Sequence, residues 1–153
     1  MRPWPVFRSN DLLKSYRTTI KHAQILTLPT TSIEVVPAQG VNRAIIPMLA
    51  TLQLVWVADY TNIDATAFMI VRLVSGPTDL EQFSEGLGDL SGLLAAGASA
   101  FSFMAPENNT GNSLPNNSPL NLFLNNALSG DLTGGDPGNR LIVTVFYNVV
   151  TLE

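Results

Sequence analysis

The stretch "GGDPGNRLIVTVFYNVVTLE", residues 134–153, decides the fold. A loop of Gly, Asp, Pro and Asn gives way at Arg140 to a run of strand formers that lasts to Leu152. Split by parity, Leu141, Val143, Val145, Tyr147 and Val149 share one face; Ile142, Phe146, Val150 and Leu152 share the other with Thr144 and Asn148. A strand with one wet face alternates apolar with polar residues. Here neither face is polar, so the pattern predicts a central strand covered on both sides. In a chain of 153 residues one cover is the core between two sheets. The other is a second layer, an excursion of the same chain, or a neighbouring subunit. The subunit is favoured, because the chain is 46% hydrophobic and only 13% charged, about half the usual charged share. Leu141, Val143, Val145, Tyr147 and Val149 are thus the candidate subunit-interface or core-strand residues.

Upstream segments carry the same signature. "TIKHAQILTL" reads as a strand stopped at Pro29, and "TSIEVVP" as one stopped at Pro37. In "NRAIIPMLATLQLVWVA" the even positions Ala44, Ile46, Met48, Ala50, Leu52, Leu54 and Trp56 are all apolar, which predicts a core face. Pro47 cannot donate to a ladder and implies an edge or a bulge there. "ATAFMIVRLV", "SAFSFM" and "PLNLFL" are further strands, and "DYTNID" and "SGDLTGGDPGN" are turn clusters. Only around 78–96 does the period change: Leu80, Phe83, Leu87, Leu90, Leu93 and Leu94 recur every three or four positions, while Gly86, Gly88 and Gly92 interrupt them. One short helical or irregular excursion is expected there. Residues 105–126 hold eight Asn and three Pro, a turn-rich region in which Asn bonds to its own chain. The sum is an all-β sandwich or barrel.

Charge is unevenly spread. Residues 1–21 carry Arg2, Arg8, Lys14, Arg17 and Lys21 against Asp11 alone; the remainder carries three cations against eleven acids. Pro3 and Pro5 hold extended backbone around Trp4. Residues 1–19 therefore read as an extended basic N-terminal arm on a sandwich domain spanning 20–153. Five cations on an acidic body make a weak nucleic-acid site, and none is expected. Residues 1–17 hold no apolar run of signal-peptide type. "AIIPMLATLQLVWVA" is too short and too interrupted to span a bilayer, so no membrane partner is expected.

Chemistry finds little support. No Cys is present, which removes disulfides, thiolate metal sites and a Cys nucleophile. The one histidine, His22, alternates with Ile20 and Gln24 and reads as a strand residue; no serine sits in a nucleophile elbow. Asp131 and Asp136 flank "LTGG", where turn capping is the simpler role than paired-carboxylate hydrolysis. No phosphate-binding loop, dinucleotide fingerprint or calcium loop appears. No enzyme activity, cofactor or metal is expected.

Three stretches carry a resemblance. "NLFLNNALSGDLTGGDPGNRLIVTVFYNVVTL" resembles the ending of a group of small tailed-bacteriophage virion proteins; "QILTLPTTSIEVVPAQG" resembles their beginning, and "LGDLSGLL" fits between. The likeness spans roughly residues 20–152. It implies a jelly-roll-like β-sandwich, a structural virion role without catalysis, and a homotrimer. The leading expectation is a capsid decoration, or cement, protein on the outer capsid surface of the virion, binding the major capsid protein. The arm, through Arg2, Trp4, Phe7, Arg8, Lys14 and Arg17, would lie across adjacent capsid subunits. The alternative is a tail-fibre or receptor-binding knob, with the Asn-rich loops facing a host glycan or surface protein.

Overall fold

A computed structural model describes residues 13–73, 80–84, 94, 97, 100–104 and 116–152. Among these the chain forms ten strands and one short helix. In order they are β1 (Lys14–Lys21), α1 (His22–Leu26), β2 (Ile33–Val36), β3 (Arg43–Val55), β4 (Tyr60–Thr61) and β5 (Phe68–Leu73). β6 (Leu80–Ser84), β7 (Ala100–Met104), β8 (Leu120–Asn125), β9 (Thr133–Gly134) and β10 (Arg140–Thr151) follow.

Two four-stranded sheets, β1-β10-β3-β7 and β2-β8-β5-β6, make a sandwich, and β4-β9 is a separate ribbon. Every pairing is antiparallel. Each sheet interleaves early and late strands: β10 lies between β1 and β3, and β8 between β2 and β5. That interleaving is the double Greek key of a jelly roll.

The core follows from the alternation of side chains along each strand. Leu141, Val143 and Val145 of β10 are fully buried, and Tyr147 nearly so. They share one cluster with Leu52 and Leu54 of β3, Met69, Val71 and Leu73 of β5, and Leu120, Leu122 and Leu124 of β8. Each such side chain contributes about 1.5–3 kcal/mol on burial.

Four sequence expectations need correction. The strand predicted through Leu28 ends at Lys21, and His22–Leu26 form α1. The side chain of Gln24 accepts the Lys21 amide at 3.1 Å, and the turn buries Ile25 and Leu28, three residues apart. The arm boundary after residue 19 falls inside β1: Lys14–Thr19 pair with Tyr147–Ile142 and belong to the sheet. Leu80–Ser84, expected within a helical or irregular excursion, form β6 along the edge of β5, from Leu73↔Leu80 to Ile70↔Ser84. Pairing with that edge satisfies backbone groups that a helix interrupted by glycine would leave weakly held. Of the rest of 78–96, only Leu94 is described; it is helical, as the expected excursion allows, and buried.

The fourth correction is in β3. A register shift at Phe146/Tyr147 sets Leu49 opposite Phe146 and Pro47 opposite Tyr147, which leaves Met48 as an extra residue. The even-numbered core face therefore holds after the bulge, at Ala50, Leu52 and Leu54 with Trp56 packed half-buried against the core, and Ala44 is buried as well. Before the bulge the core face passes to Ile45 and Pro47, and Met48 is 46% exposed.

Candidate functional site

The sandwich gives each expected site residue a definite place. Leu141, Val143, Val145 and Tyr147 point into the intersheet core, and Val149 packs against it half-buried. This set is core strand, and the opposite face of β10 is turned away from that core. That face carries Ile142, Thr144, Phe146, Asn148 and Val150, all half-buried, with Ile46, Leu49 and Thr51 of β3 beside them. The Asn148 Oδ1 atom is buried there without a hydrogen bond. An orphaned acceptor of this kind costs about 1–3 kcal/mol.

Lys14 and Arg17, expected in the arm, lie on β1 and are exposed. Arg2, Trp4, Phe7 and Arg8 lie outside the described residues, as does the first half of the Asn-rich region, 105–115.

The loops at one end of the sandwich engage themselves. Asp136 Oδ1 accepts the Gly138 amide at 2.7 Å, a local turn cap. Asp131 Oδ1 accepts the Thr30 hydroxyl. Asp59 Oδ1 accepts the Trp56 indole N–H at 2.7 Å and the Gly97 amide at 2.9 Å. Asp64 accepts from both the amide and the hydroxyl of Thr66, and these bonds hold its carboxyl below the ordinary value. These four carboxylates thus act as turn caps and loop ties. Among the described residues no cluster of three or more His, Cys, Asp or Glu is placed to hold a metal ion. His22 opens α1 rather than sitting within a strand. Its ring stacks on Tyr60 with centroids 5.7 Å apart, and its Nδ1 lies 3.2 Å from the Tyr60 hydroxyl.

Asn139 went unnoticed in the sequence, yet it holds this end together. Fully buried before β10, its Oδ1 accepts the Val57 and Ala58 amides at 2.7 and 3.2 Å, while its Nδ2 donates to the Ala58 carbonyl at 2.6 Å. Asn126 does the same for the neighbouring loop, accepting the Asp64 amide and donating to the Asn62 carbonyl. Composition had flagged Asn as a turn residue but could not separate buried from exposed ones.

No protein-family model matches the chain, and no curated protein matches it. Solved structures do. One is a chain of the cyanophage Pam1 capsid asymmetric unit, at 12% identity and a TM-score of 0.51, covering 97% of this chain and 92% of that one. Another belongs to the capsid of Ralstonia phage GP4, at 16% identity and a TM-score of 0.49, covering 97% and 90%. The class the structure defines is an all-β jelly-roll sandwich. Over nearly its whole length, the chain shares that fold with a component of a phage capsid.

Proposed function

We propose that this chain is a structural virion protein, a homotrimeric decoration or cement protein bound to the outside of a phage shell built from the major capsid protein. The observation that carries the reading is the end-to-end likeness of fold to a chain of the cyanophage Pam1 capsid asymmetric unit, with both chains covered almost completely. The self-engaged loop end supports a scaffold role rather than catalysis, and no cofactor is invoked. Subunits would meet through the face of β10 that bears Ile142, Phe146 and Val150, apolar side chains that the chain itself leaves half-buried.

A cement protein adds buried area across boundaries that internal genome pressure tends to open. The basic N-terminal segment suits that task, with Trp4 and Phe7 as anchors and Arg2, Arg8, Lys14 and Arg17 as charged contacts. The test is co-sedimentation of the purified protein with shells that lack it, alongside host cells. Saturable shell binding supports the reading. Attachment to cells without attachment to shells would favour a receptor-binding knob.

A further inference from the structure

β1 is an edge strand, and its composition is unusual for one. β10 is its one sheet neighbour among the described residues, and no backbone bond runs from its other side to a second strand. Alternate residues of such a strand turn their N–H and C=O groups outward, a ready template for another chain. Natural sheets close such edges with a short strand, a bulge, a proline or charge. Among the described residues β1 relies on charge: it is eight residues long, holds register with β10 from Lys14 to Lys21 without a shift, and contains no proline, while its Thr18 hydroxyl donates to the Val35 carbonyl of β2 at 3.2 Å.

The charge is of one sign. Arg17 and Lys21 share a face, and Lys21 stands directly opposite Arg140, so three cations line one side of the edge. Lys14 lies on the other side with Tyr16, which is 42% exposed. Among the described residues none of these four cations makes an ion pair. Self-pairing of two β1 strands is disfavoured, because a nearly full overlap would bring the cations of both copies side by side. An acidic strand meets no such barrier.

We propose that β1 accepts an extended acidic segment of another polypeptide by strand addition to the β1-β10-β3-β7 sheet. Arg17 and Lys21 lie about 13 Å apart along the strand. They match carboxylates four residues apart on one face of the incoming segment, while Tyr16 offers an aromatic contact on the other. This inference stands on the geometry of β1 and does not depend on the virion reading.

The test uses the full chain and three labelled synthetic peptides in fluorescence anisotropy. One is Thr-Glu-Val-Thr-Val-Glu-Val-Thr; the second has Lys for both Glu; the third is the acidic peptide N-methylated at alternate amides. The acidic peptide is expected to bind about tenfold or more tightly than either of the others. Hydrogen exchange should show new protection confined to β1. The exposed double variant R17E/K21E should reverse the preference toward the lysine peptide. Equal binding of the acidic and N-methylated peptides would overturn strand addition in favour of simple ionic adsorption. Absence of binding by the acidic peptide, or a preference that ignores R17E/K21E, would overturn the proposal as well.

Discussion

Pro47 stands opposite Tyr147 while Leu49 stands opposite Phe146, so Met48 is squeezed out of the ladder between them. The side chain of Met48 is 46% exposed, and Ile45 on the far side of the bulge is buried. Met48→Thr should change stability by less than about 0.5 kcal/mol, as exposed substitutions usually do. Deleting Met48 would turn Arg43–Pro47 to the wrong face and expel Ile45 from the core, costing about 2 kcal/mol or more. Urea unfolding of the two variants checks the contrast; equal midpoints would show that the bulge carries no register.

Asn139 sets the loop geometry from the opposite end of β10. Asn139→Leu leaves the Val57 and Ala58 amides without their acceptor in a buried site and should cost about 2–4 kcal/mol. Asn139→Asp keeps the acceptor but buries a charge and turns an oxygen toward the Ala58 carbonyl, so at neutral pH it should cost at least as much, and less in acid, where a protonated carboxyl can donate again. Denaturant midpoints give the ranking.

Gly135 has φ +71°, and a Cβ there would lie 2.5 Å from Cε1 of Tyr60. Gly135→Ala therefore meets both backbone strain and a clash with a buried ring, and should destabilise by about 1–3 kcal/mol. Gly130, with φ +88° and open space around it, should tolerate Ala better. Thermal unfolding of the pair separates strain from collision.

Burial raises the phenol of Tyr60 above its ordinary value; Asp136 adds to the shift and a bond from Asn139 opposes it. Burial likewise raises Tyr147, with Tyr16 adding to it. The folded state thus prefers the neutral phenols. Their contribution is whole below about pH 10, the unfolded value, and is lost as pH climbs through the raised folded values. Stability should fall on that alkaline limb, and Tyr60→Phe should flatten it. Urea midpoints at about pH 8 and about pH 11 measure the difference.

Much of the fold was legible because the signal was local. β5, β8 and β10 alternate cleanly or are apolar on both faces, and turn residues bound them. The all-β reading survives from the sequence to the two sheets. What was not legible depended on partners far along the chain. The bulge at Met48 flips the parity of β3, and only the ladder with β10 reveals where. Leu80 and Phe83 have helical spacing, yet the edge of β5 captures them as β6. Gln24 and Ile25 fit a strand by composition, but α1 turns the chain toward the second sheet. Of the expected surface residues, Lys14 and Arg17 moved from arm to sheet because β10 has a free edge that they fill. Asn139 was hidden because nothing local separates a buried loop Asn from an exposed one.

The central claim is a place on the outside of a phage shell, and cryo-electron microscopy of shells that lack this chain, incubated with the purified protein, tests it most directly. The account predicts added density at symmetric positions on the outer surface, saturating with protein and divisible into threefold groups of one sandwich each. Shells that gain no density, or density found only at a tail or fibre, would contradict it.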